Sequence, residues 1–235
     1  MSKELDNVFV DVRNAFRLLN DYQKHILNIV NYIREQTEYA EMWGRKNWYS
    51  NEIGNKKNSP DSDYAKLNIR NEIRRNQNIK LTTFLDLYGL DTSFPDFNQA
   101  QSIQDVYLRV EHLEQALHRE LIAFVECRPE RIITHIQPYE FEGLLFSDVD
   151  QLCSIEPTWQ RSHATLQRMR DEVDSPEHIN NGYETKPSKR LEDNLHPKYK
   201  KTTHGPRIAQ HVGLERMEQE CAHFKSWMDK IRALG

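Results

Sequence analysis

Residues 131–148 read "RIITHIQPYEFEGLLFSD". The first seven, Arg131 to Gln137, are a short β-rich apolar run, read as a buried strand. Pro138 suits a first helical position, and "YEFEGLLF" continues as a helix. Three carboxylates, Glu140, Glu142 and Asp148, fall within nine positions of this apolar stretch. Carboxylates crowded beside a core repel one another unless something positive stands among them.

Upstream, "IKLTTFLDLYGL" alternates Ile79, Leu81, Thr83 and Leu85 with Lys80, Thr82 and Phe84, so it reads as a strand ending near Asp86. Between the two strands, "SIQDVYLRVEHLEQALHRELIAF" carries Ile103, Tyr107, Val110, Leu113 and Leu117 on one helical face. The order strand, helix, strand, helix predicts an α/β fold: a small parallel sheet flanked by helices. Chemistry in such sheets gathers at the carboxyl ends of the strands, where Asp86 and Glu140 both lie.

Residues 1–34 read as an N-terminal helical segment. Phe9, Val12, Phe16, Leu19, Ile26, Ile29 and Ile33 recur at threes, fours and sevens, although "NIVNYI" also permits a short strand. Residues 35–150 form the expected α/β core. Residues 151–235 read as a helical C-terminal part, with helices near 158–171, 187–195, 205–220 and 221–233.

The 235 residues are 29% charged and 37% hydrophobic, with a mean hydropathy of −0.83. That excludes a membrane span, since no run of about 18 apolar residues occurs. The opening "MSKELDNVF" lacks the layout of a signal peptide, and Cys127, Cys153 and Cys221 form no pair at metal-binding or redox spacing. A cytoplasmic protein with reduced thiols is the expectation.

The net charge of −4 is unevenly spread. Residues 186–207 contain Lys186, Lys189, Arg190, Lys198, Lys200, Lys201 and Arg207 against Glu192 and Asp193. A basic segment on an acidic body is either a phosphate-facing patch or a solvated loop.

Each acid has a bland reading beside a chemical one. Asp86 either caps the turn after its strand or ligates a metal. Glu140 and Glu142, two apart, cannot share a helix face but both suit the first turn, where the dipole favours anions. Asp148 suits the N-cap of "DVDQL". Capping explains one acid well and three poorly. The alternative is a hard divalent cation, Mg²⁺ or Mn²⁺, which takes oxygen ligands and relieves the repulsion. Lys189 and Arg190 would then sit at a helix start after Pro187, where free backbone N–H groups favour phosphate. His204 is either a phosphate contact and general acid or a surface histidine bonded to backbone.

Together, "LTTFLDLYGL", "RVEHLEQAL", "IQPYEFEGLLFSD", "ETKPSKRL", "YKKTTHGPRIAQHVGLERM" and "CAHFKSWMDKI" resemble a bacterial family catalogued as domain of unknown function 4276, over about residues 64–235. The resemblance implies a Toprim-like core that holds Mg²⁺ on strand-end acids for phosphodiester chemistry, beside an ATPase partner in anti-phage defence. It singles out Asp86, Glu140, Glu142 and Asp148 as acids, and Ser188, Lys189, Arg190, His204 and Gly205 on the basic side. Lys200, Lys201 and Arg207 join these as expected nucleic-acid contacts.

Relatives usually open on a strand followed by a motif like V-E-G-Q-T-E, whose first glutamate leads the acid set. Here "YIREQTE" offers Glu35 in that place. Either "NIVNYI" is the first strand and Glu35 completes the metal site, or the opening of the domain has been replaced and the site lacks a member. The two readings imply different functions. One is a metal-dependent nuclease. The other is a non-enzymatic interaction or regulatory subunit of a defence complex, with its N-terminal helix free to join a partner or another copy.

Overall fold

The computed structural model describes residues 70–233, apart from 72, 78, 79, 91, 181, 183 and 184. The expected N-terminal helix, Glu35 and the first-strand question lie outside the described residues.

Two short parallel strand pairs form the sheet. β1 (Leu81–Thr82) pairs with β3 (Ile132–Ile133), and β2 (Leu85–Asp86) pairs with β4 (Ile136–Gln137). The register does not slip between the pairs: Leu81 lies opposite Ile132, and Asp86 opposite Gln137. They are therefore one ladder with a local break. At the break the Thr83 hydroxyl accepts the His135 N–H at 2.9 Å, while Thr83 N still donates to Ile133 O at 3.0 Å. A β-branched hydroxyl thus takes a strand hydrogen bond, which is why the single strand expected over 79–86 is interrupted.

Residue alternation divides the core in two. Leu81, Ile132 and Ile136 pack with Val110, Leu113, Leu117, Leu121 and Val125. These last come from α2 (Val106–Val125), which follows the one-turn α1 (Phe97–Ala100). The Asp105 side chain caps α2 by accepting from Leu108 N at 2.9 Å. On the opposite face, Phe84 joins Phe141, Phe146, Trp159, Phe224 and Trp227.

The C-terminal helices cover that second face: α3 (Val149–Ser154), α4 (His163–Asp171), α5 (Pro187–Asn194), α6 (His204–Val212), α7 (Leu214–Glu220) and α8 (Ala222–Arg232). The helix expected over 205–220 is broken at Gly213, whose φ of +76° is a conformation that favours glycine.

The helix expected from Pro138 begins later and is of another type. Tyr139 takes φ +58° and Glu140 is extended, so a 3-10 helix runs only over Phe141–Ser147. A Cβ on Gly143 would stand 3.1 Å from the Pro176 carbonyl oxygen, a closer contact than side chains usually make, so this turn packs tightly against backbone. The architecture is helix-rich around a small parallel strand set.

Candidate functional site

The ladder carries Asp86 and Glu140 to the same edge. Asp86 ends β2 at 5% exposure, and its Oδ1 accepts from Phe141 N at 3.0 Å. The carboxylate leaving one strand therefore caps the 3-10 helix that leaves the other. Glu140 is the extended residue before that helix. Its Oε2 accepts from Ser188 N at 3.0 Å, inside the first turn of α5. Its Oε1 lies 3.1 Å from Lys186 Nζ and 3.7 Å from Lys201 Nζ.

Glu142 is wholly buried. Its Oε1 lies 3.0 Å from Lys201 Nζ and accepts from the Tyr199 hydroxyl at 3.4 Å. Among the described residues its Oε2 is buried with no hydrogen-bond partner. Glu140 and Glu142 converge on one ammonium because Glu140 precedes the helix in extended backbone, so the rule for side chains two apart on a helix does not govern them.

Burial pushes the Asp86 carboxyl well above its ordinary range, and the neighbouring Glu142 adds to this. Burial also raises Glu142, against the opposing pull of Lys201. Glu140 is pushed up by burial too, but Lys201, Ser188 and Lys186 together hold it below the usual value. Lys201 loses from burial, yet Glu142 and Glu140 keep its ammonium above the usual lysine range. Among the described residues, three carboxyl groups thus share two ammonium groups, and the raised carboxyls are Asp86 and Glu142.

The remaining expected residues divide by position. Asp148 is the N-cap of α3, accepting from Gln151 N at 2.9 Å. Ser188 holds Glu140, so the helix start expected to cradle phosphate already carries a carboxylate of the chain itself. Lys189 pairs with Asp193 at 2.7 Å along α5, and Arg190 Nε donates to Thr185 O at 2.6 Å. Lys200 is exposed. His204 is buried against Trp159, and its Nδ1 accepts from Lys200 N at 2.9 Å. It is bonded to backbone, but it is buried and not on the surface, and burial lowers its pKa. Gly205 is buried beside it in the first turn of α6, and Arg207 pairs with Glu156 at 3.1 Å. From the basic segment, Lys186 and Lys201 face the acids.

Two contributors were missed as site residues. In the sequence Lys186 stands out only as charge, although its place before Pro187 puts it at a helix start. Tyr199, held in its neutral form by burial beside Glu142, has no local pattern that marks it. Among the described residues, the trio of potential ligand side chains whose atoms lie within 4.8 Å of one another is Glu114, His135 and His223. Asp86, Glu140 and Glu142 do not all fall within that spacing.

No match was found among curated proteins or among solved structures. The family model described as "Domain of unknown function (DUF4276)" matches residues 14–232, a span that begins well before the motifs quoted above. With nearly its whole length matched, the chain belongs to the DUF4276 family.

Proposed function

We propose that the chain is a divalent-metal-dependent phosphodiester-processing protein, a nuclease with Toprim-like chemistry, whose metal is held by Asp86, Glu140 and Glu142. The observation that carries this reading is the buried Glu142 Oε2. Among the described residues it is a carboxylate oxygen without a partner, in a cluster of three acids and two lysines. A native fold rarely leaves such a group orphaned without a functional reason. The donors are all carboxylate oxygens, which suits Mg²⁺ or Mn²⁺ and not a thiolate- or imidazole-seeking metal. When bound, the ion would polarise a phosphoryl oxygen and lower the pKa of a ligated water.

The chain's own residues support the same task. Lys201 and Lys186 bring two ammonium groups to the acids from the side of α5 and the 196–203 stretch. Either can neutralise charge developing on a phosphate. Ser188 N fixes Glu140, and Phe141 N fixes Asp86, so both carboxylates are held by backbone. Nucleic acid is the proposed substrate class. The ATPase partner and the setting in anti-phage defence are drawn from the family resemblance.

A specific observation favours the second reading. Lys186 and Lys201 already neutralise Glu140, so a non-enzymatic subunit could keep this cluster as a structural ion-pair network. Cleavage of single- and double-stranded DNA and RNA with Mn²⁺ separates the two. The proposal expects cleavage that is lost with chelator and in Asp86→Ala and Glu142→Ala while both variants keep their far-ultraviolet dichroism. Full activity in both variants removes the acids from the mechanism, and the absence of cleavage on every substrate supports the subunit.

A further inference from the structure

We propose that Glu114, His135 and His223 form a second metal site, suited to one Zn²⁺-type ion and separate from the acids around Lys201. The three come from different elements: α2, the break between β3 and β4, and the first turn of α8. Glu114 Oε1 lies 2.8 Å from His223 Nε2 and 3.6 Å from His135 Nδ1. Ligands about 2.0–2.1 Å from a tetrahedral zinc stand roughly 3.4 Å apart, so this spacing already brackets the requirement.

The hydrogen-bond network assigns the tautomer of His135. Glu177 is fully buried, and its Oε1 accepts from Gln137 Nε2 at 3.2 Å. That turns the Gln137 oxygen towards His135 Nε2, also at 3.2 Å, so Nε2 carries the proton. His135 is held in this orientation between Phe84 and Trp227. Its Nδ1 therefore presents a bare lone pair to a carboxylate oxygen, in a place 1% exposed. Glu114 Oε1 also accepts from Ile136 N at 2.7 Å, so backbone fixes the carboxylate beside that lone pair, and a bound cation would join the two as ligands.

The surroundings match those of a metal-binding imidazole, which donates its second N–H to an oxygen that fixes its orientation. Gln137 does this for His135, and Glu177 holds the backbone of His223 by accepting its N–H at 3.0 Å. Two imidazoles and one carboxylate favour zinc over magnesium. An imidazole binds metal in its ring plane. The two rings are inclined at 24° with centroids 4.9 Å apart, so His223 must tilt away from His135 to bind. His135 is held by Phe84 and Trp227, whereas the His223 side chain is 15% exposed, so the tilt falls on His223. The ion would tie α8 and α2 to the sheet.

Titration with Co²⁺ and Zn²⁺ tests this in the full chain carrying Asp86→Asn, which disables the acidic cluster. One equivalent of Co²⁺ is expected to give the intense visible absorption of a four-coordinate ion with no thiolate band. Zn²⁺ should abolish that absorption and raise the melting temperature. His223→Gln and Glu114→Gln, each checked for folding by circular dichroism, should weaken binding at least about 10-fold. Absence of the four-coordinate signal overturns the proposal, as does an unchanged signal in both folded variants. A thiolate band would place the ion on cysteine and overturn it equally.

Discussion

Replacing Lys201 by Met keeps most of the apolar stem and removes the ammonium from among three acids. At an effective dielectric of about 20, attractions across 3.0 Å to Glu142 and 3.7 Å to Glu140 are each about 5 kcal/mol before desolvation is subtracted. The variant does not lose all of this, because an acid can take up a proton instead. Protonating an ordinary glutamate, pKa about 4.3, costs about 4 kcal/mol at pH 7.5 and about 1 kcal/mol at pH 5. Proton uptake therefore caps the electrostatic loss. Lys201→Met should destabilise the fold by about 3–4 kcal/mol at pH 7.5 and by about 1 kcal/mol at pH 5, with Mg²⁺ restoring much of the difference. Urea denaturation at the two pH values, with and without 5–10 mM Mg²⁺ (an order-of-magnitude choice for weakly held hard cations), measures this. An equal loss at both pH values would mean that only packing was removed, and the electrostatic account of the cluster would fail.

Asp86 has its folded pKa raised by burial and Glu142, so the folded state binds its proton more tightly than the unfolded chain does. The stability this contributes is present below the unfolded value of about 3.9 and is lost as pH rises through the folded pKa. Without metal, Asp86→Asn should therefore stabilise the protein at pH 8 by about 1 kcal/mol or more and change little at pH 4, as thermal melts will show. Glu177 accepts from Tyr107, Gln137, His223 N and Phe224 N, so Glu177→Leu should cost about 3–5 kcal/mol by denaturant titration. Gly143→Ala sets a methyl 3.1 Å from the Pro176 oxygen and should cost about 1–3 kcal/mol in the same assay.

The strands were legible because alternation and β-branched content are local signals. The break in them was not, since it depends on Thr83 meeting His135 across the ladder. The long helix over 106–125 followed from its apolar stripe, while the Asp105 cap that opens it emerges only in the structure. The turn after β4 is not legible because Pro138 fits a helix start, whereas Tyr139 takes a positive φ and extended Glu140 delays the helix to Phe141. At the site, Asp86 with Glu140 and Glu142 could be read from strand ends. Their neutralising partners could not, because net charge does not say which cations turn inward. Lys189, Arg190 and Arg207 engage other groups, while Lys186 and Lys201 reach the acids from 46 and 59 residues beyond Glu140 and Glu142, respectively. His135 and His223 meet Glu114 only through tertiary packing, and no spacing in the sequence announces them.

Calorimetric titration of Mn²⁺ into the full chain at pH 7.5 bears most directly on the acidic cluster. Saturable binding that disappears in Glu142→Gln and in Asp86→Asn is the result expected if these buried carboxylates hold a divalent ion. Binding of equal strength in both variants, or no heat from the unsubstituted protein, would contradict it.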